Sequence, residues 1–116
     1  YTIATGYGEN NAANTTYIDW VLKKKKGFVD IVQYSGDSTS GRTVAHSLGS
    51  VPGSIWIKRI NSDGGTWTVY HRSLGNTKYL ALNEQAAATT SSSRWNNTTP
   101  TSSVFTLGNN SSVNTT

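Results

Sequence analysis

The stretch T-W-T-V-Y-H-R-S-L-G-N-T-K-Y-L-A-L, Thr66 to Leu82, decides the fold class. Along an extended chain Trp67, Val69 and His71 fall on one side, and Thr68 and Tyr70 on the other. Both sides carry bulk, so neither reads as a freely solvated face. Tyr79, Leu80, Ala81 and Leu82 make a second short apolar run, and Gly75 and Asn76 between the runs tolerate positive φ. Two strands joined by a turn are the economical reading.

Working outward, the same grammar recurs. Strands are expected over Phe28–Tyr34, Arg42–His46, Ser54–Ile60, Thr66–His71, Lys78–Asn83 and Val104–Leu107. Turn chemistry separates them at Gly36-Asp37, Gly41, Gly49, Pro52-Gly53, Asp63-Gly64-Gly65 and Gly75-Asn76. Tyr17–Leu22 alternates as a further strand, with Ile18, Trp20 and Leu22 opposite Tyr17, Asp19 and Val21. Asn83 could cap a turn or two of helix through Thr90. The expected fold is all-β, an antiparallel β-sandwich of jelly-roll type with at most one short helix.

Composition narrows the classes. A chain of 116 residues suits one core. Only 34% of it is hydrophobic and 14% charged, yet four Trp, six Tyr and two Phe argue for order rather than disorder. The absence of Cys excludes disulfides and thiolate metal sites. There is no apolar run long enough to span a bilayer, so no membrane insertion is expected. The net charge of +4 equals the contribution of Lys23 to Lys26, and that run reads as a solvated linker or a charged strand edge rather than a nucleic-acid contact.

Catalytic chemistry finds little support. Serine is abundant but no G-x-S-x-G elbow is present. The six carboxylates, Glu9, Asp19, Asp30, Asp37, Asp63 and Glu84, fall mostly in turns or a linker. Asp37-Ser38-Thr39 and Asn61-Ser62-Asp63 offer oxygens but lack the spacing of a calcium loop, so turn capping is the better account. His46 and His71 each precede a Leu-Gly turn, which suggests a repeated structural use at a strand end. No enzyme activity, cofactor or metal is therefore expected. For ligand binding the candidate set is Arg94, Trp95, Asn96 and Asn97, an aromatic face beside amides suited to a sugar, set against the alternative that Trp95 plugs the core edge.

The two ends share a pattern: Asn14-Thr15-Thr16 recurs as Asn114-Thr115-Thr116, each preceded by a polar tract. Tandem repetition accounts for it, with residues 1–26 as the closing strand and basic linker of a preceding unit and 27–116 as the module itself.

The phrase Arg42-Thr43-Val44-Ala45-His46-Ser47-Leu48-Gly49-Ser50-Val51-Pro52-Gly53, running into Ile55-Trp56-Ile57-Lys58-Arg59, resembles the H-x-L-G-x-x-P turn of bacteriophage tail-fibre modules. Together with Gly27-Phe28-Val29-Asp30-Ile31-Val32, Lys78-Tyr79-Leu80 and Ser93-Arg94-Trp95-Asn96, it is similar to a repeat module of marine phage virion proteins. The resemblance implies a non-catalytic structural role on the virion surface, in a tail fibre or other appendage, with host contact. Its implied partners are other copies of itself or neighbouring repeat modules, as a homo-oligomer. Two alternatives stand beside it: a carbohydrate-binding module for host-surface glycans, and a free-standing capsid decoration protein.

Overall fold

Residues 14–18, 20–61 and 65–116 are described by the computed structural model. The Gly6 tract, Glu9, Asp19 and Asp63-Gly64 lie outside them. In chain order the elements are β1 (Arg42–Ala45), β2 (Ser54–Ile57), β3 (Thr68–His71), β4 (Lys78–Ala81), β5 (Thr89–Thr90), α1 (Ser92–Trp95) and β6 (Val104–Leu107). The strands form two antiparallel sheets, β1-β6 and β2-β3-β4-β5, so the architecture is all-β.

The central hairpin joins β3 to β4, pairing Thr68 with Ala81 and Val69 with Leu80. Gly75 takes the left-handed conformation in its turn, at φ 78°. Asn76 contributes differently, donating from its side-chain amide to Thr99 Oγ1 at 2.8 Å. Tyr70 faces inward, and Val69 is buried on the opposite side of the sheet across from Trp56.

One core joins the two sheets. Val44, Phe105 and Leu107 come from the small sheet, Ile57 and Tyr70 from the large one, and Trp95 and Val113 close the ends. Rings meet edge-on, Tyr34 with Phe105 at 6.2 Å and Tyr70 with Trp95 at 5.8 Å, a geometry in which a positive ring edge meets a negative face. Gly108 lets the chain leaving β6 press against α1: a Cβ there would lie 2.1 Å from the Ser93 carbonyl oxygen. Its amide donates to the Arg94 carbonyl at 2.9 Å.

Three expected elements differ. The Asn83–Thr90 helix is absent, because Ala86 to Ala88 offer no large apolar side chain to bury and helices this short depend on burial. Thr89–Thr90 instead pairs with Lys78 and Tyr79 as an edge strand, and the helical turn forms one step later, anchored by Trp95. Among the described residues Phe28–Tyr34 runs without a strand partner apart from the Lys25–Val29 bridge at its start. The described residues of Tyr17–Leu22 belong to no strand.

The lysine run is more than a linker. Lys25 and Val29 exchange backbone hydrogen bonds around a tight turn, and the Gly27 amide donates to the Leu48 carbonyl at 2.8 Å. Asp30 fixes this turn to the body of the fold, accepting from the Lys24 ammonium at 2.6 Å and from the Ser47 amide at 2.6 Å.

Candidate functional site

The large sheet ends at β2, and among the described residues no strand lies beside its outer edge. The Arg72 amide donates to the Gly53 carbonyl, so by antiparallel alternation residues 53, 55 and 57 bond inward to β3. Ser54, Trp56 and Lys58 therefore aim their backbone N–H and C=O groups at the open edge. Segment 28–34 and that edge together line a groove.

The groove has two adjoining reaches. The first is an apolar cleft of about 650 Å³ walled by Phe28, Ile31, Trp56 and Trp67 and floored by Ile55 and Phe105. The second, about 520 Å³, is lined by Lys58, Arg59, Asn61, Ser112 and Thr116. Tyr34, Ile57, Val32 and Lys58 belong to both, so the reaches meet at the C-terminal end of β2. Trp56 is half exposed, and its orientation is fixed: Nε1 donates to Ser54 Oγ at 2.8 Å, and that hydroxyl donates to the Tyr70 carbonyl at 2.9 Å. The Lys58 ammonium donates to the Gly65 carbonyl, which holds a cation at the junction.

Two titratable groups frame the groove. Lys24, the Ser47 amide and the Ile31 amide all favour the ionised Asp30 carboxylate and hold its pKa down at about 2, with the Lys24 hydrogen bond the largest cause. Tyr34 is pushed the other way, up to about 12, because burial disfavours its phenolate more than the nearby Arg42 guanidinium favours it.

The four residues singled out as a sugar site lie elsewhere and do not form one open face. Trp95 is 2% exposed, with its indole N–H donating to the Lys78 carbonyl at 3.0 Å. Its ring is therefore spent on the core, the other role the sequence allowed. Arg94 stacks its guanidinium 3.8 Å from the Tyr79 ring centroid and donates to Thr68 Oγ1 at 3.0 Å. Asn96 and Asn97 take left-handed backbone conformations that end α1, and Asn96 Oδ1 accepts from Ser40 Oγ. Among the described residues the exposed large aromatics are Trp20, Phe28, Trp56 and Trp67, of which the last three line the groove. Parity in the sequence placed Trp67 beside Val69, but only the register shows Trp56 on that same face.

The histidines serve as the Leu-Gly spacing suggested. His46 Nδ1 accepts from the Leu48 amide and His71 Nδ1 from the Ser73 amide, each at 3.3 Å, so each ring caps the turn that follows its strand. Asp37 Oδ1 likewise accepts from the Thr39 amide at 2.8 Å, an ordinary turn cap. No group of three or more His, Cys, Asp or Glu residues able to hold a metal occurs among the described residues. No helix among them is long and apolar enough to cross a membrane.

Fold and groove together define a small all-β module with a groove along one edge of its larger sheet. The model of the family described as "Domain of unknown function (DUF7483)" matches residues 1–116, and the chain belongs to that family. No curated protein and no solved structure matches it.

Proposed function

We propose that this chain is a non-catalytic assembly module of a phage tail fibre or related virion appendage, used in repeated copies. The observation that carries the reading is the balance of apolar surface. Among the described residues eight hydrophobic side chains are buried in the core, whereas twelve large ones are exposed. Single exposed apolar residues need no explanation, but Phe28, Ile31, Trp56 and Trp67 are contiguous around one groove, and such patches mark surfaces that another molecule covers. The tail-fibre resemblance of Arg42 to Arg59 supplies the setting, and the repeated Asn-Thr-Thr supports tandem use.

Peptide mapping of purified particles from the producing host tests the proposal. Peptides of this sequence are expected in the particle, within a polypeptide several times the 12.5 kDa of this chain. Their absence from particles would overturn the virion assignment, and an intact mass near 12.5 kDa would overturn tandem use in favour of capsid decoration.

A further inference from the structure

We infer that His46 is an acid-sensitive latch: its neutral ring holds the turn on which the lysine turn is docked, and proton uptake releases that turn and loosens one wall of the groove.

The partners of the ring assign its protonation. Nδ1 accepts from the Leu48 amide at 3.3 Å, so it carries no proton. Nε2 lies 3.3 Å from the Thr101 carbonyl, which can only accept, so Nε2 carries one. The Nε2–H tautomer of the neutral ring meets both demands. Imidazole is the side chain that gains a proton in mildly acidic water, and here the added proton lands on Nδ1, facing the Leu48 N–H. Two donors then oppose each other and the cap is lost. The ring cannot swing clear without giving up the Thr101 carbonyl and its stacking on Phe105, at a centroid distance of 6.4 Å with 21° between the planes.

What is docked on this turn makes the loss more than local. The Leu48 carbonyl accepts from the Gly27 amide at 2.8 Å, the Ser47 amide donates to Asp30 at 2.6 Å, and Gly49 lies against the Lys26 side chain. Ser47, Leu48 and Gly49 thus seat the lysine turn, and Phe28 and Ile31, which wall the groove, belong to that turn and the residues just after it. His71 offers a comparison within the molecule. Its Nδ1 accepts from the Ser73 amide at the same 3.3 Å, but its ring has no second partner among the described residues, so on protonation it turns aside and only its own cap is affected.

The sign follows from the charges around the ring. From the lysine turn, Asp30 favours an imidazolium, but Lys24 is paired with Asp30 at 2.6 Å and Lys26 stands beside Gly49, both opposing a further positive charge. Asp30, held at about 2, stays ionised throughout mild acid, and Tyr34, packed on the same Phe105 ring, stays neutral. The Thr101–Val104 turn brings a carbonyl and hydroxyls, which do not titrate. Arg42, at the other end of β1, is paired with Asp37, Arg72 is turned to the Val51 carbonyl, and Lys58 across the groove is bound to the Gly65 carbonyl. The lost Leu48 hydrogen bond therefore decides the balance. A protonated ring holds the turn less well than a neutral one, so acid favours the open turn.

Amide hydrogen exchange on the whole chain tests this, with protection at each pH corrected for the intrinsic exchange rate. Between about pH 8 and pH 5, the range in which histidine changes charge, protection at Leu48, Gly27 and Ser47 is expected to fall by about two- to tenfold, the effect of one neutral hydrogen bond. It is expected to return on neutralisation, while Val69 and Tyr70 in the large sheet keep theirs. His46→Asn supplies an acceptor for the amide two residues on and no titratable ring, so it is expected to hold the turn equally at both ends of the range. His46→Ala is expected to show the open-turn value at both. Wild-type protection that does not change, a fall of the same size in His46→Asn, or a fall confined to Leu48 while Gly27 and Ser47 keep theirs would overturn the inference. So would an equal loss at Val69, which would mean that the whole fold yields to acid. If neither variant folds, the wild type still decides: a fall at Ser73 with none at Leu48 and Gly27 overturns the latch.

Discussion

The Trp95 indole N–H reaches the Lys78 carbonyl at 3.0 Å, and the same ring meets Tyr70 edge-on with an interplanar angle of 73°. One side chain thereby ties α1 to β4 and β3. Trp95→Ala would leave a cavity at the junction of the sheets and is expected to cost about 3–5 kcal/mol. Trp95→Phe keeps most of the ring but strands the carbonyl, at about 1–3 kcal/mol. Urea unfolding followed by circular dichroism checks both, and a Phe variant as stable as the wild type would show the hydrogen bond to be dispensable.

How the sequence relates to this architecture is visible in particular segments. Val104–Leu107 matched its expected bounds, and β1 to β4 each begin at or within two residues of the expected start. Those runs are short, rich in β-branched and aromatic residues and bounded by turn residues, which marks strands whatever their partners. Thr89–Thr90 was invisible because a two-residue strand has no periodicity; its pairing with Lys78 and Tyr79 is imposed by chain reversal. Phe28–Tyr34 is as apolar, with Phe28, Val29, Ile31, Val32 and Tyr34, yet beyond the Lys25–Val29 bridge it pairs with no strand among the described residues, because sequence pattern reports a tendency to pair without supplying the partner. The groove itself was equally hidden. Trp56 and Trp67 lie eleven positions apart, and only the Trp56–Val69 register brings them to one face.

Asp30 should make the lysine turn sensitive to acid. Its folded pKa is depressed to about 2 from 3.8, so the carboxylate's stabilisation is fully present above 3.8 and disappears as pH falls through about 2. In that window the Ser47 amide loses its charged acceptor. Hydrogen exchange at Ser47 is expected to quicken on acidification, and Asp30→Asn should show fast exchange already at neutral pH. Equal protection in the two proteins would mean that the Gly27–Leu48 hydrogen bond holds the turn alone.

Asn114 is 1% exposed and satisfies four groups at once. Its amide donates to the carbonyls of Thr39 and Gly108, at 2.8 and 3.1 Å, and its oxygen accepts from the Asp37 amide and Arg42 Nη1, at 3.0 and 3.3 Å. Asn114→Ala leaves these without their partner, and a loss of about 1–3 kcal/mol is expected. Asn114→Asp keeps the acceptor for Arg42 but cannot donate to either carbonyl, so it should recover only part of that loss. Thermal unfolding of the three proteins ranks them, and an Ala variant equal to the wild type would refute the bridging role.

Tyr34 gives the alkaline counterpart. Its hydroxyl donates to the Val113 carbonyl at 2.6 Å, and its ring packs on Phe105, joining the segment that walls the groove to the end of the chain. A folded pKa raised from 10.0 to about 12 means that the tyrosine stabilises the fold fully below pH 10, and that this contribution is lost as pH rises through about 12. Tyr34→Phe removes the ionisable group together with its hydrogen bond, at a cost of about 1 kcal/mol near neutrality. The wild-type advantage over this variant should therefore shrink steadily between pH 10 and 12. Urea midpoints of the two proteins across that range measure it directly; a constant difference would show that the phenol ionises as readily in the folded chain as in the unfolded one, and that its hydrogen bond to Val113 does not hold the groove wall.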